Sequence, residues 1–190
     1  IFLFFALAQK STIRELDVNL TNFTYPYPVA FINLTVQQQT LRMAYMDVQP
    51  KNPNGKNIML LHGKNFNGSY WKTTIEALLQ KGYRVIVPDQ IGFGKSSKPA
   101  HFQYSFQQLA QNTKAMLDNL GIERTAVLGH SMGGMLATRF ALMYPETTEK
   151  LILENPIGLE DWKVKVPFKN VDWWYQRELS MNYDKIKAYQ

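Results

Sequence analysis

The stretch Thr125-Ala126-Val127-Leu128-Gly129-His130-Ser131-Met132-Gly133-Gly134 decides how this chain is read. Thr125 to Leu128 is a short apolar strand, and Met132 to Met143 reads as a helix limited by Pro145. Between them lies Gly-His-Ser-Met-Gly, a G-x-S-x-G pattern with strand before and helix after. A turn this tight holds Ser131 in a strained backbone conformation. Side chains two positions either side of it would collide, so Gly129 and Gly133 relieve the crowding, and Gly134 lets the helix sit close to the sheet. The turn lifts the Ser131 hydroxyl out at the C-terminal edge of the sheet. It also aims the Met132 N–H at the same point, from the positive end of a helix. Ser131 is therefore the candidate nucleophile.

Two upstream segments fit the same edge. Asn57 to Leu61 reads as a buried strand, followed by His62-Gly63-Lys64-Asn65. A His-Gly turn there brings a second backbone N–H toward the nucleophile. Lys64 is the expected donor, with Asn65 as the alternative, and His62 supports the turn. Arg84 to Val87 is the next apolar strand, followed by Asp89-Gln90-Ile91-Gly92-Phe93-Gly94-Lys95-Ser96, whose glycines permit a tight loop beneath the site. That loop does not read as a phosphate cradle. The third glycine of G-x-G-x-x-G is replaced by Ser97, and the first glycine of G-x-x-x-x-G-K-S by Asp89.

The remaining elements are set by periodicity. Val29–Val36 and Leu41–Val48 alternate and are joined by Gln37-Gln38-Gln39, a hairpin. Tyr70–Gln80 is a helix stopped by Gly82. In Ser105–Leu120, Phe106, Leu109, Ala110, Thr113, Leu117 and Leu120 form one stripe at helical spacing. Ser105 and Gln108 form a capping box there, and Gly121 follows the last turn. Leu151–Leu153 is expected as a further buried strand, and Asn170–Gln190 as one charged amphipathic helix. Short apolar strands alternating with helices predict an α/β fold: a mostly parallel, doubly wound sheet behind an N-terminal antiparallel hairpin.

The ordered set His-Gly, Asp-x-x-Gly-x-Gly-x-Ser and Gly-His-Ser-Met-Gly-Gly resembles the α/β-hydrolase family, and within it the lid-bearing branch with esterase-like and epoxide-hydrolase-like members. The resemblance spans residues 29–190. It implies acyl transfer or related hydrolysis of a small-molecule substrate: a serine nucleophile at Ser131, oxyanion donors at Met132 and Lys64, and support from His62, Gly63, Gly129, His130 and Gly133. Relatives that open epoxides or haloalkanes carry a carboxylate at the nucleophile position, so a serine favours an ester or related acyl bond. No cofactor is implied.

The same resemblance expects a histidine after the serine and an acid between them. The chain's 3 histidines are His62, His101 and His130, and none follows Ser131. Glu154, Glu160 and Asp161 lie near where some family members place the acid, and each reads more readily as an ordinary loop or surface carboxylate. The missing base and acid leave two rivals open, a non-catalytic hydrolase-like binding protein and an epoxide-hydrolase-like activity. The histidines lack the i, i+4 spacing and carboxylate partner of a metal site.

Composition agrees with a folded domain: 190 residues, 45% hydrophobic and 19% charged, are outside the range of a disordered chain. The net charge of +6 is dispersed and indicates no nucleic-acid partner. With 0 cysteines, a disulfide scaffold and a thiolate metal site are excluded. Ile1 to Ala8, IFLFFALA, is too short for a membrane span and ends in small-x-small. It reads as the remnant of a signal peptide, the alternatives being a buried strand or an uncleaved anchor. The expected organisation is this remnant at 1–8, a leader at 9–28, the hydrolase core at 29–157 and the start of a lid at 158–190. In that last region Trp162, Trp173, Trp174 and Tyr175 are either lid or helix-packing aromatics. The expected location is secreted or periplasmic, and the sheet is expected to be incomplete at its C-terminal side.

Overall fold

Gln37 and Gln38 take positive φ angles of 49° and 60°, making a two-residue turn whose twist matches the strands it joins. It closes the hairpin of β1 (Val29–Val36) and β2 (Gln39–Val48). Gln39, expected in the turn, is the first residue of β2, paired with Val36. The computed structural model describes residues 15–189. The expected signal-peptide remnant lies outside them.

Behind the hairpin come β3 (Asn57–Leu61), a 3₁₀ turn at Gly68–Trp71, α1 (Lys72–Gln80), β4 (Arg84–Pro88), α2 (Phe106–Asn119), β5 (Thr125–His130), α3 (Met132–Met143) and β6 (Thr148–Glu154). They form one 6-stranded sheet in the order β1-β2-β4-β3-β5-β6. β1, β2 and β4 pair antiparallel, while β4, β3, β5 and β6 run parallel. The chain steps from β3 to β4 on one side and then crosses to β5 on the other. That reversal leaves a crevice at the carboxyl ends of β3 and β5, where ligands of open α/β sheets bind.

Strand alternation divides the core in two. Met59, Leu61, Ile86 and Val127 pack with Leu109, Met116, Leu117, Leu136 and Phe140 from α2 and α3. Ile58, Leu60, Val85 and Val87 pack with Trp71 and Ile75 on the other face. Each central strand is thus buried on both sides, as its unbroken apolar run requires.

Three expectations change. Leu151, Ile152 and Leu153 are 40%, 39% and 36% exposed, not buried, because among the described residues β6 is last in the strand order and pairs with β5 alone, at the side where the sheet is expected to be incomplete. The capping box at α2 is half made. The Ser105 hydroxyl accepts from Gln108 N–H at 3.1 Å, but the Gln108 amide turns along the helix to donate to the buried Asn112 Oδ1 at 3.0 Å. The expected 170–190 helix is two, α5 (Val171–Leu179) and α6 (Tyr183–Tyr189), because Asn182 caps a new start by accepting from Lys185 N–H at 3.0 Å.

Two compact units divide between Ile157 and Gly158. The second holds α4 (Trp162–Lys165), α5 and α6. Within it Trp173 and Trp174 meet edge to face at 4.8 Å, and the Arg177 guanidinium lies over both rings. No helix among the described residues is long and apolar enough to cross a membrane.

Candidate active site

β5 stays paired through His130, and α3 begins at Met132, so Ser131 alone turns the chain. Its φ and ψ are 55° and −116°, a conformation that costs a non-glycine residue roughly 1–3 kcal/mol. The surroundings hold it there. Ser131 N–H donates to the Glu154 carbonyl at 3.1 Å, and its own carbonyl accepts from Gly134 and Ile157 at 2.9 and 3.2 Å. Although Ser131 occupies the N-cap position of α3, its hydroxyl does not cap the helix. The side chain is left for other work.

The glycines are set by close approach. A Cβ on Gly129 would overlap the Gly133 carbonyl, and one on Gly133 would overlap the Leu61 carbonyl at the end of β3. The second contact is with a neighbouring strand rather than within the turn, which a reading of the sequence alone did not anticipate.

His62 is fully buried at the end of β3. Its Nε2 accepts from Gln90 N–H at 3.0 Å, and its Nδ1 donates to the Gly63 carbonyl at 2.9 Å, the pairing of a neutral ring. Burial pushes its pKa down, against weaker opposing effects of the Gly63 contact and of Asp89. It therefore ties the loop after β3 to the loop after β4. The following turn closes with Phe66 N–H on the Gly63 carbonyl at 3.2 Å, with Asn65 at φ 66°. Lys64 sits at the corner of this turn and lines the same cavity as Met132. Gly63 fits against the elbow: a Cβ there would stand 3.3 Å from Ser131 Cβ and 3.2 Å from His130 Nδ1.

The His130 ring joins an aromatic cluster. Its Nδ1 is 3.2 Å from the Tyr70 hydroxyl, and its ring meets Phe66, Tyr70 and Trp71 at 5.9, 5.9 and 6.4 Å. Burial raises the Tyr70 pKa, so its hydroxyl stays protonated at neutral pH. His101 is exposed in the loop before α2, and no described contact brings it to Ser131. Of the carboxylates considered, Glu154 is adjacent to the elbow, paired with His130 across β5 and β6. Glu160 and Asp161 belong to the second unit.

Asp89 is the support that sequence reasoning missed. Fully buried, it accepts from Tyr25 Oη at 2.7 Å, Gly68 N–H at 2.6 Å and Lys95 N–H at 2.7 Å. It thus joins the segment before β1, the loop after β3 and the loop after β4. A Cβ on Gly94, at φ 54°, would overlap this carboxylate. The available signal was an aspartate at a strand end with glycines three and five residues on.

Comparison with known proteins places this arrangement. Residues 56–183 match the model of the alpha/beta hydrolase fold. A 2-hydroxy-6-oxononadienedioate/2-hydroxy-6-oxononatrienedioate hydrolase of Comamonas testosteroni is 41% identical over 108 residues, covering 55% of this chain and 38% of that protein. A haloalkane dehalogenase of Mycolicibacterium paratuberculosis is 30% identical over 146 residues, covering 75% of this chain and 48% of that one. The crystal structure of a probable hydrolytic enzyme from Pseudomonas aeruginosa superposes with a TM-score of 0.87 at 58% identity, over 90% of this chain and 55% of that one. The chain thus spans about half the length of these relatives or less. With the family model matched over residues 56–183 and the sheet order and serine turn already described, this chain belongs to the alpha/beta hydrolase fold family.

Proposed function

We propose that Ser131 is the nucleophile of a serine hydrolase acting on an ester or related acyl bond of a small molecule. The observation that carries this reading is a strained serine whose hydroxyl is not spent on capping the helix it begins. Ser131 Oγ attacks the carbonyl carbon, and the carbonyl π electrons move to oxygen. The resulting oxyanion rests on the N–H groups of Met132 and Lys64. Loss of one such donor costs about 100- to 1000-fold in rate. The hydroxyl proton passes to a general base. None of the chain's histidines suits that role: His62 is spent between two loops, His130 is paired with Tyr70, and His101 is in an exposed loop. The base and its orienting acid are assigned to residues outside 1–190. The 158–190 unit is read as the beginning of a lid, and the protein as exported.

The histidine accounting also supports a second reading, a hydrolase-like binding protein without catalysis. One experiment separates them. The full-length protein is treated with a fluorophosphonate probe, beside its Ser131→Ala variant. Labelling lost in the variant supports the enzyme. No labelling in the parent supports the binding protein, and labelling that survives in the variant places the nucleophile elsewhere.

A further inference from the structure

We infer that the cavity beside the oxyanion donors receives an apolar, medium-length acyl chain, so that the substrates are medium-chain acyl esters; this rests on the reading of Ser131 as an acyl-transfer nucleophile. The cavity has a volume of about 380 Å³, within the range of small-ligand sites. Its walls are Phe93, Tyr104, Phe106 and Leu109, and Met132 and Lys64 line it as well. Those last two residues carry the N–H groups proposed for the oxyanion. A carbonyl held there has its substituent directed to an apolar wall.

The local structure maintains that wall. Phe93 stands edge-on to the buried His62 ring at 5.3 Å, fixing one side to the loop after β3. Tyr104 packs edge-on to Phe102 at 4.8 Å and lies flush on the backbone at Gly92, where a Cβ would stand 3.0 Å from its ring. Gly92 has φ 97°, so both its conformation and its bareness serve this packing. The polar groups of the wall are engaged or uncharged. The Ser105 hydroxyl is spent on the N-cap of α2, and burial raises the Tyr104 pKa. Among the described residues that line the cavity, only Lys64 is charged. A chain of methylenes is therefore the occupant that costs least in desolvation along this wall, whereas a sugar would leave most of its hydroxyls unpaired against the aromatic and aliphatic side chains.

The test uses the full-length protein and p-nitrophenyl esters from acetate through butyrate and hexanoate to octanoate, with fluorophosphonate labelling of Ser131 measured in the same preparation. Each methylene buried in the transition state raises kcat/KM by up to about fourfold, so a steep rise with chain length is expected. Phe106→Trp, which fills the cavity, should lower the octanoate-to-acetate ratio, and Phe106→Ala should raise it or move the optimum to longer chains. A flat or falling series in protein whose Ser131 is labelled, or a ratio that neither variant moves, overturns the acyl-chain assignment alone. Absence of Ser131 labelling together with absence of turnover overturns the nucleophile and the acyl-chain assignment with it. If either Phe106 variant is insoluble, binding of p-nitrophenyl octanoate to the Ser131→Ala protein decides. Saturable binding much tighter than that of the acetate upholds the cavity's role, and equal affinity refutes it.

Discussion

Ser131 pays in stability for its position. Its φ of 55° belongs to glycine's range, and the fold imposes it because β5 and α3 leave one residue for the turn. Ser131→Gly should therefore raise the unfolding free energy by about 1 kcal/mol, less the loss of any side-chain contact, while abolishing fluorophosphonate labelling. Denaturant midpoints of the two proteins check this, and a destabilised glycine variant contradicts the strain. Gly133→Val goes the other way. Its side chain would enter the Leu61 carbonyl, a backbone atom held in β3, so the protein should be insoluble or destabilised by several kcal/mol. A Gly133→Val protein that melts at the parent's temperature would show that the elbow is not packed against β3.

Loops after β3 and β4 act as one element because two buried side chains hold them together. Asp89 accepts three hydrogen bonds from three different segments. Asp89→Asn replaces an acceptor oxygen with a donor amide, and the expected loss is about 2–4 kcal/mol, with Tyr25→Phe costing about 1 kcal/mol. Urea titrations that find the two variants equal would remove Asp89 from this role. His62 gives a pH dependence. Its folded-state pKa lies below the unfolded value of about 6.5, so the unfolded chain binds more protons below that pH. The neutral ring's contribution is complete above pH 6.5 or so and is lost progressively as the pH falls further. His62→Gln should be less stable at pH 8 and show a flatter stability curve below about pH 6.5. A curve parallel to the parent's would mean that another group is responsible.

At the scale of the molecule, the described sheet ends in an exposed apolar strand, and no histidine follows Ser131 in residues 1–190. Residues 9–190 expressed alone should turn over p-nitrophenyl acetate far more slowly than the median enzyme's roughly 10 per second. A Ser131-dependent rate near that value would make one of the three histidines the base. The β6 edge should also drive self-association of this polypeptide, since unpaired apolar edges template pairing. Ile152→Lys should reduce its light scattering at equal concentration, and unchanged scattering would point to another surface.

Much of the architecture was legible in order along the chain. The α/β alternation, the hairpin and the elbow all rest on local rules, namely strand and helix periodicities and the crowding around a tight turn. The bounds of β3 and α3 come from the same rules. What pairs across the sheet was not legible, because register and strand order join residues far apart in sequence. Only the tertiary structure put Leu61 against Gly133, Tyr25 and Gly68 on Asp89, and His130 on Tyr70. β6 is the last strand of the described sheet, as the expected incompleteness of its C-terminal side implies, and the structure adds that Leu151, Ile152 and Leu153 are exposed there. An apolar run states that a strand favours burial. Whether something lies on its far side depends on the packing of the whole sheet, which no local pattern encodes.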